Sequence, residues 1–335
     1  MPKITFFEYE PWERELYAQA LPGMQITFFE HALTESHIPE DTEADILSGF
    51  VGSSFSEAVL ARFSNARFIA TRSTGFDHVD LKACKARGIL VSNVPSYGSR
   101  TVAEYTFLLI LALARKLVES TERVRRSASF DLRGLRGSDL QAKTLGVIGT
   151  GRIGREVVQT AHGFNMRVLA YDVLPDEASA IKLGFYDVSL DELLASSDVV
   201  SLHVPLLPST LHLLDRTAFQ KMKRSALLVN TARGAVVDSV ALIEALEHGE
   251  IAGAALDVLE EEGAVREEHE LVLHGHPGEQ SLRVLLQNHM LMRMSNVIVT
   301  PHNAFNTGEA LAEIARVTAE NISAFASGRP VNLVQ

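Results

Sequence analysis

Leu145-Gly146-Val147-Ile148-Gly149-Thr150-Gly151-Arg152-Ile153-Gly154 is a short apolar run entering a G-x-G-x-x-G turn, and Asp172 closes the next candidate strand, Arg167 to Tyr171, 18 residues past Gly154. Each glycine has a physical task in such a turn. Gly149 permits the tight reversal, Gly151 lets backbone N–H groups approach a pyrophosphate, and Gly154 lets the following helix lie close on the sheet. Three glycines at this spacing are a weak signal in a chain that holds 22 of them, so their neighbours decide the matter. Leu145 to Ile148 reads as a buried strand, and Ile153, Val157 and Ala161 recur at helical spacing behind the turn. Strand, glycine turn, helix, strand and carboxylate in that order predict a dinucleotide-binding unit.

Downstream the alternation continues, with Asp198 to Val204, Ser225 to Asn230, Ala252 to Val258 and Asn296 to Thr300 as further strands. Ser189-x-x-Glu192 predicts a capped helix start, and Asp238 caps a helix that stops at Gly249. Six strands with crossover helices predict a doubly wound parallel sheet of the Rossmann type. The first 95 residues alternate more weakly, with Ile46 to Val51, Phe68 to Thr71 and Ile89 to Ser92 as strands and no glycine fingerprint. They predict a second, smaller α/β domain, flavodoxin-like in kind. The segment after Pro301 has a helical pattern and no strand to serve, so it is expected to return to that smaller domain. The expected division is 1–98 plus 303–335 for the smaller domain and 99–302 for the dinucleotide-binding domain.

Thr101-x-x-Glu104 predicts another capping box, ahead of the apolar run Phe107 to Ala114. A helix apolar on every face must be covered on every face, which predicts an interdomain helix that also packs on a second subunit in a homodimer. Glu261 to Ser295 is less ordered in pattern: an acidic run, then His269, His274 and His276, then helical periodicity from Leu282 to Met294. The histidines lack a cysteine or a second close pair, so a surface reading is preferred and no metal is expected.

Composition narrows the function classes. The 335 residues are 46% hydrophobic and 22% charged, as in soluble globular proteins. The 42 acids outweigh 31 bases for a net charge of −11, which argues against nucleic acid as a partner. The longest apolar run is too short to span a bilayer, and the first residues lack a signal-peptide shape, so no membrane partner is expected. The lone Cys84 cannot form an intrachain disulfide and fits a reducing cytoplasm; its neighbours Lys82 and Lys85 favour the thiolate, but a surface or half-buried structural thiol is the preferred reading.

Candidate chemistry sits at strand ends, where open α/β sheets bind ligands. Val229-Asn230-Thr231-Ala232-Arg233-Gly234 ends one strand with an arginine able to grip a carboxylate through two parallel hydrogen bonds. Asp257-Val258-Leu259-Glu260-Glu261-Glu262 places acids after the next, and Thr300-Pro301-His302-Asn303 a histidine after the last. A cation, a carboxylate and an imidazole would meet over one crevice.

With these motifs, the chain resembles the D-2-hydroxyacid dehydrogenase family, nearest its D-lactate dehydrogenase branch. The likeness spans nearly the whole length. It is carried by Arg72-Ser-Thr-Gly-Phe-Asp-His-Val-Asp80, Asn93-Val-Pro-Ser-Tyr97 with Val102-Ala-Glu104, the Gly149 turn, Ser201-Leu-His-Val-Pro205, Asn230-Thr-Ala-Arg-Gly234, Leu256-Asp-Val258 and Thr300-Pro-His-Asn-Ala-Phe305. The resemblance implies hydride transfer between NAD(H) and a small 2-hydroxy or 2-keto acid, with D-lactate and pyruvate foremost. It implies Arg233, Glu262 and His302 as the catalytic set: the arginine orients the substrate carboxylate, the histidine is the acid/base, and the acid supports the histidine. Thr74 and Gly75 through their backbone, with Tyr97 and Phe305, are implied in substrate binding. Gly149, Gly151, Arg152, Ile153, Gly154, Asp172, His203, Val204, Pro205, Thr210, Thr231, Ala232 and Asp257 are implied around the cofactor.

The residue types suit that chemistry. A proton must leave or reach the substrate oxygen as hydride moves at C2, which selects a group titrating near neutrality. Asp172 would accept hydrogen bonds from the adenosine ribose and repel a 2′-phosphate, so NAD is expected over NADP. Some positions depart from the family pattern. Phe305 replaces a tyrosine common in lactate enzymes, keeping the ring without the hydroxyl. Gly98-Ser99-Arg100 replaces a Ser-Pro pattern, and an Arg100 facing the pocket would favour a second substrate carboxylate. Gly263 stands where many relatives carry proline, leaving the role given to Glu262 open to a slip to Glu260 or Glu261. Open alternatives are a relative acting on glycerate, glyoxylate or a bulkier 2-keto acid, and a dinucleotide-sensing, corepressor-like binding protein.

Overall fold

Short apolar strands alternate with helices along the chain, and every pairing between them is parallel. The computed structural model describes residues 1–260 and 279–334. It divides into two units, Met1–Tyr97 with Asn306–Gln335, and Gly98–Phe305.

In the first unit β1 (Lys3–Phe7), α1 (Glu13–Ala20), β2 (Gln25–Phe29), β3 (Ile46–Ser48), α2 (Glu57–Leu60), β4 (Phe68–Ala70), α3 (Leu81–Arg87) and β5 (Leu90–Ser92) build a five-stranded sheet of order β2-β1-β3-β4-β5. Successive strand residues face opposite layers. Phe6, Ile46, Phe68 and Ala70 pack with Tyr17 and Leu21 of the α1 region and with Ala315, Ala319 and Ile322 of the tail helix Gly308–Ala326. Phe7, Leu47 and Ile69 pack on the other face with Val59, Leu60, Ala83 and Cys84. Burial, with Asp80 close by, pushes the Cys84 thiol up to about 11, so it behaves as a small apolar side chain.

In the second unit α4 (Ser99–Ala114) and α5 (Leu117–Ser127) precede β6 (Thr144–Ile148), α6 (Arg152–Gly163), β7 (Arg167–Tyr171), α7 (Glu177–Leu183), β8 (Tyr186–Asp187), α8 (Leu190–Ser196), β9 (Val199–Leu202), α9 (Arg216–Lys221), β10 (Leu227–Asn230), α10 (Ser239–Glu247), β11 (Gly253–Leu256), α11 (Glu279–Arg293) and β12 (Val297–Val299). The sheet order is β12-β11-β10-β9-β6-β7-β8, so the direction of winding reverses between β6 and β9. Open α/β sheets bind ligands at that switch point, beyond the carboxyl ends of the strands. Val147, Val199, Val229 and Ala255 face α4 and α6, while Ile148, Val200, Leu202 and Leu228 face α8, α9 and α10.

The doubly wound sheet read from the sequence is present, with seven strands among the described residues where the pattern gave six. The added strand, β8, is two exposed edge residues, too short to leave a period of its own. Ser189 and Asp238 cap as expected, accepting from Glu192 N and from Val240 N and Ala241 N respectively. Thr101 does not cap: α4 begins two residues earlier, at Ser99, behind Gly98. Within the apolar run of α4, Leu108 is 51% exposed in the single chain. Arg100 is solvent-exposed and paired with Glu104 at 3.0 Å, one turn on along the same helix.

Candidate active site

The glycine turn after β6 has the geometry its residues require. Gly149 holds φ +95°, and a Cβ there would sit 2.6 Å from the His203 carbonyl oxygen. A Cβ on Gly154 would sit 2.0 Å from the Gly149 carbonyl oxygen, whereas one on Gly151 would meet nothing within 4 Å. Gly149 and Gly154 are therefore glycines for close backbone packing, and Gly151 faces open space. Helix α6 starts from Gly151 with no side-chain cap, leaving the N–H groups of its first turn for an anion. Arg152 is the first residue of that turn, and Ile153 packs its side chain into the core beneath, so any contribution from Ile153 to a phosphate is through backbone.

Asp172 follows β7, and its carboxylate accepts from Thr150 N at 2.7 Å, Thr150 Oγ1 at 3.0 Å and Leu174 N at 3.0 Å. Burial opposes its charge, but these hydrogen bonds outweigh burial and hold the carboxyl below its ordinary 3.8. An ionised acid is thus fixed beside the glycine turn. On the other side of the switch point, His203 hydrogen-bonds Ser201 Oγ through Nε2 at 2.8 Å, and burial pushes its imidazole down to about 3. Its buried, neutral ring serves the sheet, while its peptide packs on Gly149. Val204 and Pro205 follow, and Thr210 closes their loop by donating to the Pro205 carbonyl at 2.6 Å and accepting from Leu207 N at 2.8 Å. The cradle, the open helix terminus and the fixed carboxylate fit a dinucleotide.

Past β10, Asn230 shapes the turn that carries Arg233. Its amide oxygen accepts from Ala232 N at 3.0 Å and its amide nitrogen donates to the Arg233 carbonyl at 2.9 Å. Thr231, buried at the strand end, hydrogen-bonds Thr106 of α4 at 3.0 Å between hydroxyl oxygens. Arg233 Nη1 donates to the Ala232 carbonyl at 2.8 Å.

Asp257 follows β11 and is 1% exposed. It accepts from Thr300 Oγ1 at 2.6 Å, Asn303 N at 2.8 Å and Ala304 N at 2.8 Å, and its own carbonyl accepts from His302 N at 2.8 Å. One buried carboxylate therefore organises the loop that holds His302. His302 itself sits at φ +54°, a region costly for a residue with a Cβ, and these bonds overdetermine it. The Phe305 ring lies edge-on to the imidazole, with centroids 6.3 Å apart and planes at 74°. Arg233 and His302 thus follow β10 and β12, the two neighbours of β11, at the carboxyl edge of one sheet.

Glu260 is engaged elsewhere. Its Oε1 lies 2.9 Å from His212 Nε2 and its Oε2 accepts from Ser239 Oγ at 2.9 Å. Both of its carboxylate oxygens are thus engaged within this unit by His212 and Ser239. Glu262, like Glu261, His269, His274 and His276, lies outside the described residues.

In the first unit the segment that carries Thr74 and Gly75 is anchored from below. Arg72, buried, donates to both Glu13 carboxylate oxygens at 2.6 and 2.7 Å and to the carbonyls of Phe7 and Glu8 at 2.5 and 2.7 Å. Thr74 Oγ1 donates to the Val94 carbonyl at 2.8 Å, Asn93 Nδ2 to the Thr74 carbonyl at 2.7 Å, and Ser73 Oγ to the Gly75 carbonyl at 2.6 Å. Tyr97 ends this part of the unit.

Residues 107–304 match the family description "D-isomer specific 2-hydroxyacid dehydrogenase, NAD binding domain". The chain is 38% identical over 311 residues to the D-lactate dehydrogenase of Escherichia coli, covering 91% of each. It belongs to the D-2-hydroxyacid dehydrogenase family. It is also 39% identical over 272 residues to the glyoxylate reductase of Korarchaeum cryptofilum, covering 80% of this chain and 76% of that one. The crystal structure of D-lactate dehydrogenase from Aquifex aeolicus, complexed with NAD and lactic acid, superposes with a TM-score of 0.87 at 36% identity, covering 97% of this chain and 96% of that one. As a 2-hydroxyacid dehydrogenase, the chain is an NAD-dependent oxidoreductase acting on 2-hydroxy acids.

Sequence reading missed several groups that this dehydrogenase fold depends on. Asn230 was legible as a turn-forming side chain two residues before Ala232. The joining of Asp257 to a loop more than 40 residues on, and of Glu260 to His212 and Ser239, left no local signal.

Proposed function

We propose that this dehydrogenase interconverts pyruvate and D-lactate, with Arg233 as the carboxylate ligand and His302 as the acid/base. The placement of these two residues after the strands flanking β11, with Asp257 fixing the histidine loop, is the observation that carries the reading. In it, Arg233 holds the substrate carboxylate through paired N–H donors and stabilises charge on the reacting oxygen, a role worth about 3 kcal/mol. His302 gives a proton to that oxygen in reduction and removes it in oxidation. The bound dinucleotide supplies or receives hydride. Phe305, edge-on to His302, offers an apolar neighbour suited to a methyl group. Glu262 is assigned to support the imidazole on the family pattern. Thr74, Gly75 and Tyr97 are assigned to substrate, and Arg152, Val204, Pro205, Thr210, Thr231 and Ala232 to the cofactor, on the family pattern.

Likeness to a glyoxylate reductase supports a second reading, in which the small keto acid is glyoxylate. Loss of NADH absorbance with pyruvate, glyoxylate, hydroxypyruvate, oxaloacetate and phenylpyruvate separates them. The highest kcat/KM is expected for pyruvate; preference for glyoxylate selects the second reading, and turnover of none of them removes both.

The reading includes a homodimer in the cytoplasm. No helix among the described residues is long and apolar enough to cross a membrane. Exposed Leu117, Val118 and Val124 of α5, with Phe130 and Leu132 just beyond it, form an apolar stretch suited to a second copy. Light scattering of the wild type should give twice the monomer mass, and Phe130→Ser with Leu132→Ser should lower it.

A further inference from the structure

Glu260 is tied to three other pieces of the second unit. Its carboxylate reaches His212 Nε2 at 2.9 Å in the loop after β9 and Ser239 Oγ at 2.9 Å at the start of α10, while its carbonyl accepts from Asn288 Nδ2 of α11 at 3.0 Å. His212 stands at φ +50° with its N–H donating to the Ala235 carbonyl at 2.8 Å, and Leu214 N donates to the Val236 carbonyl at 3.1 Å. Both carbonyls belong to the 3-10 turn Gly234–Val236 that directly follows Arg233. The peptide before Glu260 closes on the same turn from the other side. A Cβ on Gly234 would lie 2.0 Å from the Leu259 carbonyl carbon and oxygen and 2.4 Å from Glu260 N. The turn after Arg233 is therefore held between the His212 loop and the Leu259–Glu260 peptide, and the Glu260 carboxylate is the tie that joins them.

We infer that Glu260 is a positioning residue for substrate-carboxylate recognition: through His212 and Ser239 it clamps the Gly234–Val236 turn and thereby fixes the Arg233 guanidinium. The inference rests on the reading of Arg233 as the carboxylate ligand. A guanidinium bound in a two-pronged way loses much of its grip when its backbone shifts by a fraction of an ångström, because both N–H donors must align at once.

The test is Glu260→Ala, with Glu260→Gln as the conservative variant and Ser239→Ala and His212→Ala each removing one arm. Calorimetry of oxamate, a carboxylate analogue of pyruvate, binding to the enzyme–NADH complex reads carboxylate recognition without turnover. Kd for oxamate and KM for pyruvate should rise about 10- to 100-fold in Glu260→Ala. Each single-arm variant should show part of that rise, Glu260→Gln should largely restore both constants, and Kd for NADH should stay at the wild-type value. In an Arg233→Ala background the further change to Glu260→Ala should add almost nothing, because the group it positions is already gone.

The inference is overturned if Glu260→Ala weakens oxamate by the same factor with and without Arg233, or if it leaves oxamate binding unchanged. Should Glu260→Ala fail to fold, the same cycle with Ser239→Ala or His212→Ala decides by the same criteria. An Arg233→Ala enzyme that binds oxamate normally would overturn the assignment of Arg233 itself; a defective Arg233→Ala enzyme beside a silent Glu260→Ala one overturns only the positioning role.

Discussion

Replacing Asp257 by Asn should release the His302 loop. In the native protein Oδ1 of Asp257 accepts from Thr300 Oγ1 and Asn303 N, and Oδ2 accepts from Ala304 N at 2.8 Å. Asparagine has one acceptor oxygen. In its better orientation it keeps the two bonds at Oδ1, at the strength of neutral ones, and sets an NH2 against the Ala304 N–H. The lost charge-assisted bond is worth about 1.5–3 kcal/mol, and a buried donor without a partner costs about 1–3 kcal/mol more, so a local loss of about 2.5–6 kcal/mol is expected. Holding His302 at φ +54° costs about 1–3 kcal/mol, which is smaller than that loss, so the loop should relax toward ordinary backbone angles. Hydrogen exchange of the Asn303 and Ala304 amides reports the release directly, and their protection should fall about 100-fold or more. With His302 displaced, kcat/KM for pyruvate should fall about 100-fold while NADH still binds. Native protection of both amides, with kcat/KM within about threefold of wild type, would refute the reasoning.

Other consequences can be checked alongside. Arg233→Lys keeps the charge and loses the paired donors, so keto-acid kcat/KM should fall about 100-fold with Kd for NADH unchanged in fluorescence titration. Asp172→Ser removes the charge that a 2′-phosphate would meet, and the ratio of kcat/KM for NADH to that for NADPH should narrow about 10- to 100-fold in steady-state assays. His203 is held neutral down to about pH 3, whereas the unfolded chain protonates it near 6.5. Its contribution to stability is therefore lost as pH falls between those values, by up to about 1.4 kcal/mol per pH unit. Urea unfolding at pH 7, 6 and 5 should show a shallower acid dependence for His203→Gln than for wild type, and identical slopes would count against a buried neutral imidazole.

What could be read in advance divides along the range of the interactions. The glycine turn was legible because each glycine answers a local demand: Gly149 a positive φ, and Gly149 and Gly154 a backbone too near for a Cβ. The caps at Ser189 and Asp238 were legible for the same reason, since a side chain and the N–H it accepts from are two or three residues apart. Thr101 misled because its spacing to Glu104 is that of a cap, yet Ser99 and Arg100 are already helical behind Gly98. The apolar run Phe107 to Ala114 gave the helix, most of whose run is buried. Strands β1 and β2 carry Phe6, Phe7, Phe28 and Phe29, whose packing across the sheet is not a pattern within either segment.

The site was legible as residue types and only partly as roles. Arg233, Asp257 and His302 follow neighbouring strands, a consequence of strand order that parallel alternation already implies. Asp257 also anchors the His302 loop, through bonds to Thr300, Asn303 and Ala304 that no spacing rule announces. The ring of His203 hydrogen-bonds Ser201 while its peptide lies at the Gly149 turn, a division of one residue that no local spacing announces. Glu260 opens a run of three acids, and its hydrogen bonds to His212 and Ser239 join it to distant segments that no local pattern names.

The central claim is that His302 moves the proton while Arg233 holds the carboxylate. Single-turnover oxidation of NADH by saturating pyruvate in His302→Gln tests it most directly. The rate should fall at least about 1,000-fold, with Kd for NADH and for oxamate within a few-fold of wild type. A His302→Gln enzyme that turns over pyruvate at a rate close to wild type would contradict the account.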